Sequence, residues 1–383
     1  MTLDPGAEAR HAPAPETSGK LHHRIGPFEP ELGGYLPEVT LAYETWGELN
    51  SARDNAVLIV HALTGDSHAA GDPSAGYKRG GWWNPVIGPG RMIDTEENFV
   101  ICSNVLGGCS GSTGPASKNP QTGRPYGMSF PLITIRDMVR AQKRLLDELG
   151  VKTLSLVIGG SIGGQQALEW AVEFPDFVKR AAPVAATGAL GPQGISMSEI
   201  GRRAIMADPH WQEGEYYGTG RTPDDGLAIA RMAGMVTYQS AAGQWERFGR
   251  RPARRPALHR ELGGRFEVES YLHYQGRELA GRFDANSYLY LSRAMDIYDV
   301  ATGYDSPEEA YSRIQADTLF TGISSDWLFP AAEVRETAEE ARIAGANARY
   351  VEIESNNGHD AFLKDWAELR EAVGPFLEDG DNG

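Results

Sequence analysis

One stretch limits what this chain can fold into: Leu154-Ser155-Leu156-Val157-Ile158-Gly159-Gly160-Ser161-Ile162-Gly163-Gly164-Gln165-Gln166-Ala167-Leu168-Glu169-Trp170. Its first half is an apolar run of strand length, rich in branched residues. Its second half has helical spacing, with Ala167, Leu168 and Ala171 able to share a face and Pro175 closing it. Between them, Gly159-x-Ser161-x-Gly163 has the pattern of a nucleophile elbow. A strand that turns abruptly into a helix forces its middle residue into a strained backbone conformation and leaves room beside it only for very small side chains. The serine oxygen is then held clear of the sheet, next to a helix N-terminus that favours negative charge. The five residues alone mark many ordinary turns, and this chain has 46 glycines. The strand before and the helix after are what make Ser161 a candidate nucleophile.

At 383 residues the chain is long enough for a substantial core. A net charge of −16 argues against nucleic acid as a partner. The one basic cluster, Arg250-Arg251 with Arg254-Arg255, is short and reads as a solvated loop. Two cysteines, Cys102 and Cys109, make neither a disulfide framework nor a four-ligand metal site, and the nine histidines show no metal-binding spacing. No 18 apolar residues run together and no apolar leader opens the chain, so the expectation is no membrane span and a cytoplasmic location.

In chain order, residues 1–20 read as a disordered leader rich in Ala, Pro, Glu and Gly. Strands are expected from Leu36 onward: Val39 to Thr45, Ala56 to Val60 and Asn98 to Cys102. An amphipathic helix, Ile133 to Leu149, leads through Gly150 into the elbow. Alternating strands and helices without hairpin turns predict an α/β fold with a mainly parallel sheet and helices on both faces. Ala181 to Ala186 is one more candidate strand, weakened by Pro183. From about 190 to 303 the pattern is helical, at Ser198 to Asp208, Gly226 to Gln239, Val268 to Phe283 and Ser287 to Tyr298. This predicts a helical lid inserted between two parts of one α/β core, residues 21–189 and 304–383. Alternation resumes with a strand at Thr318 to Ile323, a helix at Ala331 to Ala344 and a strand at Arg349 to Ile353. A closing helix follows at Ala361 to Leu377.

Two residues have the chemistry and placement to serve the serine. The Thr318–Ile323 strand ends at Ser324-Ser325-Asp326, and the Arg349–Ile353 strand runs into Glu354-Ser355-Asn356-Asn357-Gly358-His359. Both follow carboxyl ends of strands, the edge of an open α/β sheet where sites form. The order Ser161, Asp326, His359 is that of α/β-hydrolases. In that arrangement His359 takes the serine proton, while Asp326 fixes its tautomer and stabilises the imidazolium. Taken singly, Asp326 could equally cap the helix near Pro330, and His359 could be an ordinary loop histidine. The expected oxyanion donors are the backbone amides of Ile162, after the nucleophile, and Leu63, in His61-Ala62-Leu63-Thr64-Gly65-Asp66.

The chain resembles the homoserine O-acetyltransferases, acyl-CoA-dependent enzymes with the α/β-hydrolase fold. The resemblance is carried by the run from His61 to His68, by Gly81-Trp82-Trp83 with Ile87-Gly88-Pro89-Gly90, and by Cys102 to Cys109 with Gly111-Ser112-Thr113-Gly114-Pro115. It continues through the elbow, Val268 to Leu272, Arg282 to Tyr288 and Gly358 to Leu363, spanning about residues 36 to 365. Ile162 and Gln165, where relatives often carry methionine, and the stretch Gly191 to Glu199 depart from the pattern.

The resemblance implies a ping-pong transfer of an acetyl group from acetyl-CoA, through an acyl-Ser161 intermediate, to the hydroxyl of L-homoserine in methionine biosynthesis. It implies that Arg231 holds the substrate carboxylate and Asp360 its ammonium. An arginine in an otherwise apolar helix also fits a carboxylate clamp on its own chemistry. Asp360 has the plainer alternative of capping the final helix. Succinyl-CoA-using relatives carry an Asp-Trp-Arg run where this chain has Asp326-Trp327-Leu328, so Leu328 points to acetyl rather than succinyl transfer. Family members pair through the helical insertion, which implies a homodimer. No phosphate-binding or dinucleotide motif appears, so no bound cofactor is expected, and acetyl-CoA enters as a co-substrate. The alternatives are a homoserine O-succinyltransferase or serine O-acyltransferase of the same fold, an esterase, or a binding protein that has lost catalysis.

Overall fold

The computed structural model describes residues 19–73, 79–253, 262 and 264–378. Eight strands form one sheet: β1 (Leu21–Phe28), β2 (Leu36–Trp46), β3 (Ala56–Val60), β4 (Phe99–Ser103), β5 (Leu154–Gly160), β6 (Arg180–Val184), β7 (Asp317–Ile323) and β8 (Ala348–Ile353). Their spatial order is β1-β2-β4-β3-β5-β6-β7-β8. Every pairing from β4 to β8 is parallel, whereas β2 runs against both β1 and β4. The central strands β3 and β5 are apolar apart from Ser155, because both faces are covered.

Alternation along those strands sorts side chains into two cores. Leu58, Val60 and Val157 pack with α1 (Ile135–Glu148) and α2 (Ile162–Glu173) on one face. Val57, Ile59, Leu156 and Ile158 pack with Trp83, Phe362 and Phe376 on the other, the last from α10 (Trp366–Glu378). α1 begins at a capping box, Thr134 with Asp137, which satisfies two helix-end amides. A buried amide chain locks α1 to the elbow helix α2: Gln142 Nε2 donates to Gln166 Oε1 at 2.8 Å, and Trp170 Nε1 donates to Gln142 Oε1 at 2.8 Å.

Between β6 and β7 lie α3 (Pro192–Ala207), α4 (Asp224–Thr237), α5 (Ala241–Phe248), α6 (Glu267–Ala280), α7 (Ala285–Asp296) and the short α8 (Pro307–Ser312). α9 (Ala331–Ile343) joins β7 to β8. α3 packs on α4 and α7, and α4 on α6, so these helices form a layer of their own.

The structure corrects several sequence expectations. The sheet begins at Leu21, not Leu36. β1 forms an antiparallel pair with β2 across a turn closed by Gly33 N–H to Pro30 O, so hairpin pairing is present at this edge. β1 carries His22, His23, Arg24 and Gly26 and is largely exposed, so it lacks the apolar run that reveals a buried strand. The closing helix is two pieces, a 3₁₀ turn at Gly358–Leu363 and α10 from Trp366. Pro183 sits inside β6 without breaking it, and the register with β7 passes through Ala181 and Val184. Helices α5 and α8 carry too short a periodic signal to have been read. Most of the leader and Arg254-Arg255 lie outside the described residues, while Arg251 pairs with Glu267 at 2.7 Å. Cys102 and Cys109 are both free thiols.

Candidate active site

The site is built on the end of β5. Ser161 follows Gly160 with φ 64° and ψ −130°, a backbone conformation that costs a residue with a side chain ~1–3 kcal/mol. Its amide donates to Val184 O at 3.0 Å and its carbonyl accepts from Gln165 N at 3.0 Å, so strand and helix both hold the turn. The neighbouring glycines are required by space. A Cβ on Gly159 or Gly163 would fall 2.2 or 2.3 Å from Val60 O, and one on Gly164 would fall 2.6 Å from the Ala186 side chain. The glycine pattern is therefore the imprint of β3 and β6 closing on the elbow.

Asp326 and His359 leave the ends of β7 and β8 as expected, and the fold brings them together. His359 Nδ1 lies 2.6 Å from Asp326 Oδ2. The other carboxylate oxygen accepts from the amides of Leu328 at 2.8 Å and Phe329 at 3.1 Å. Asp326 thus caps its own turn and orients the histidine at once. Both side chains are buried, and His359 Nε2 has no partner among the described residues. Three aromatic rings set the plane of the imidazole. Phe329 stacks on it at 5.4 Å, Tyr238 is tilted at 5.8 Å, and Phe362 meets it edge-on at 5.6 Å. With Nδ1 held by a carboxylate and Nε2 open, the ring is set up to accept a proton at Nε2.

The proposed oxyanion loop is shaped by a residue whose role was not read in the sequence. His61 is fully buried, which pushes its pKa down and keeps it neutral. Its Nδ1 donates to Ala62 O at 2.7 Å, and its Nε2 accepts from Val105 N at 3.2 Å and Asn104 Nδ2 at 3.1 Å. The imidazole therefore pins the start of the 61–66 loop to the end of β4. Leu63 and Ile162 are both buried, and neither backbone amide donates to another described residue. The last turn of the loop is tied to the helical layer by Arg282 Nη1 donating to Thr64 O at 2.9 Å. Behind it, Glu44 Oε2 and His68 Nδ1 form a buried pair at 2.9 Å.

Arg231 projects from α4 with its guanidinium 5.4 Å from the centre of the Tyr238 ring, and it has no carboxylate partner among the described residues. Since Tyr238 also contacts the His359 ring, Arg231 stands one ring away from the imidazole. Asp360 does not cap the final helix: its carboxylate pairs with Lys364 Nζ at 2.9 Å and its amide donates to Tyr238 O at 3.0 Å. Leu328 is buried in the core cluster, beside the Asp326 turn. The Gln165 side-chain amide, in the first turn of α2, is buried with no partner among the described residues. Among those residues no three His, Cys, Asp or Glu side chains are grouped to hold a metal ion, and no helix is long and apolar enough to cross a membrane.

Residues 55–365 match the family profile described as alpha/beta hydrolase fold. The chain is 54% identical over 354 residues to a homoserine O-acetyltransferase of Symbiobacterium thermophilum, covering 92% of each chain. The solved homoserine O-acetyltransferase of Bacillus anthracis superposes with a TM-score of 0.86 at 30% identity, over 95% of this chain and 97% of that one. The solved esterase E22 also superposes with a TM-score of 0.86, at 29% identity, over 94% of this chain and 100% of that one.

Proposed function

Because the chain belongs to the homoserine O-acetyltransferases of the alpha/beta-hydrolase fold, we propose that it moves an acetyl group from acetyl-CoA to the hydroxyl of L-homoserine. The products are O-acetyl-L-homoserine and free CoA, and the step belongs to methionine biosynthesis. The observation that carries the mechanism is the buried His359–Asp326 pair with its open Nε2, at the sheet edge where the strained Ser161 stands.

In the first half-reaction His359 Nε2 takes the Ser161 proton as Oγ adds to the thioester carbonyl. The Leu63 and Ile162 amides receive the oxyanion. The C–S bond then breaks and the proton passes from His359 to the departing sulfur. In the second half-reaction the homoserine hydroxyl gives its proton to His359 and adds to the acyl-serine ester. Collapse releases the product ester, and the proton returns to Ser161. Asp326 stays ionised and stabilises the imidazolium in both halves.

Arg231 holds the amino-acid carboxylate through its planar fork, and Asp360 takes the ammonium. Leu328 favours the acetyl methyl over a succinyl carboxylate, which would be an unpaired charge in an apolar surround. Replacing Leu328 with arginine is expected to shift donor choice toward succinyl-CoA. No bound cofactor takes part. A second copy of the chain docks on the helical insertion, supported by the exposed apolar side chains Ile200, Ile229 and Tyr274 on α3, α4 and α6. Sedimentation at micromolar concentration tests this, and a monomeric mass refutes it.

The likeness to an esterase keeps hydrolysis as the competing reading. Incubation with acetyl-CoA or succinyl-CoA, each with homoserine or serine, separates the two by product mass. The proposal requires O-acetylhomoserine as the main product and thioester turnover that depends on homoserine. Acetate release at the same rate without an acceptor would make the protein a hydrolase.

A further inference from the structure

Beside the turn that carries His359 lies a cavity of about 450 Å³ that no step above uses. One wall is α5 and the other is the Asn356–Asn357 segment leading into Gly358 and His359. The two walls touch backbone to backbone: a Cβ on Gly243 would fall 2.4 Å from Asn356 O, and Ser240 Oγ donates to that same carbonyl. The lining is polar. Gln239, Asn356 and Asn357 contribute amides, Arg247 and Lys364 contribute cations, and Glu246 is the single carboxylate.

Arg247 has the character of a docking group. Its guanidinium lies 4.4 Å from the centre of the Tyr271 ring and 5.0 Å from that of Phe248. It makes no ion pair among the described residues. Stacking on aromatic faces fixes the plane of a guanidinium while leaving its edge N–H groups open, the geometry that receives phosphate oxygens. Lys364 reaches the cavity from the opposite wall, anchored to Asp360 at 2.9 Å. In a chain of net charge −16, Arg247 is a cation without a carboxylate partner among the described residues that faces a cavity of ligand size, with the Asp360-paired Lys364 across from it.

We propose that this cavity binds the phosphate-bearing end of the acyl-CoA donor, with Arg247 as its principal phosphate contact and Lys364 as the second cation. The inference rests on the acyl-transfer reading. Of the two substrates in that reading, only the thioester donor carries phosphates. Its pantetheine arm separates them from the reacting carbonyl, so they must dock at the rim of the site and not at the oxyanion donors. The cavity meets that requirement of nearness: its inner wall, Asn356–Asn357, runs directly into the turn that carries His359.

The test compares two thioesters on the same protein. S-Acetyl-N-acetylcysteamine offers the acetyl thioester without phosphates. Arg247→Gln is expected to lower kcat/KM for acetyl-CoA by ~10-fold or more, the scale of one lost charged hydrogen-bond pair, and to leave that for the truncated thioester unchanged within about twofold. Arg247→Lys, which restores the charge without the fork, is expected to recover part of the loss. Adenosine 3′,5′-bisphosphate is expected to compete with acetyl-CoA in the unmodified enzyme and to weaken by a similar factor in Arg247→Gln. Equal losses with both thioesters would overturn the proposal by making Arg247 structural, and no loss with acetyl-CoA would place the phosphates elsewhere. Failure of the unmodified enzyme to acetylate homoserine from either thioester would instead remove the acyl-transfer reading on which the inference stands.

Discussion

The ring of Phe362 lies against the α-carbon of Gly160, so that a Cβ there would meet three ring carbons at 2.5, 2.6 and 2.7 Å. Gly160 is the residue before Ser161, and Phe362 belongs to the 3₁₀ turn that holds His359. The same ring meets the imidazole edge-on, and its backbone carbonyl accepts from Trp83 Nε1 at 2.8 Å. The absence of a side chain at position 160 therefore sets how closely the histidine turn approaches the elbow. Gly160→Ala is expected to cost ~1–3 kcal/mol of stability by overpacking, and to slow acyl-enzyme formation. Adding Phe362→Leu should restore much of the stability in urea unfolding. A single Gly160→Ala variant with unchanged midpoint and rate would show that the turn yields freely.

The backbone at Ser161 is strained for any residue with a Cβ, and its hydroxyl is the proposed nucleophile. Both Ser161→Ala and Ser161→Gly should form no acyl-enzyme and lose several orders of magnitude in kcat. They should differ in stability. Glycine relieves the positive φ, worth ~1–3 kcal/mol, against an unfolded-state entropy cost of ~0.5–1 kcal/mol. The glycine variant is expected to unfold at higher urea than the alanine variant. Acetyl mass gained on the chain by either variant would move the nucleophile elsewhere.

Burial lowers the pKa of His61 below its ordinary value near 6.5. The folded chain therefore binds fewer protons at this site than the unfolded chain. Its contribution to stability is complete above the unfolded value and is lost as pH falls from there through the folded value. The slope is at most ~1.4 kcal/mol per pH unit for one proton. His61→Gln should flatten that part of the profile, read as urea midpoints between about pH 7.5 and 5.5. It should also slow the acylation step, since the 61–66 loop loses its anchor at Val105 and Ala62. An unchanged profile would assign the pH dependence to another group.

Arg231→Lys keeps the charge on α4 and loses the planar fork. Use of homoserine is expected to fall by ~10-fold or more, with little change in the acyl-enzyme burst from acetyl-CoA alone. Equal losses in the two half-reactions would mean that Arg231 serves the fold, through its contact with Tyr238.

The sequence by itself determined the parts of this protein that depend on local chemistry and on position along strands. Residues 154–170 announced a strand, a strained turn and a helix because each needs a distinct residue pattern. Asp326 and His359 could be paired with Ser161 because a parallel sheet delivers successive strand ends to one edge. The helical insertion was legible because helices of 12 or more residues, such as Asp224–Thr237 and Ala285–Asp296, repeat their apolar period several times. Only the tertiary structure decided the rest. β1 owes its existence to pairing with β2, and its exposed polar residues carry no local signal. The roles of His61 and Phe362 come from neighbours 43 and 202 residues away, Asn104 and Gly160, and Arg247 meets the Tyr271 ring from the next helix. Asp360 was read for its charge, but its partner Lys364 is fixed by the 3₁₀ turn between them, which no periodicity foretells. Backbone pattern is written locally in a chain; the burial that neutralises a histidine, or the ring that excludes a Cβ, exists only once distant segments have closed on each other.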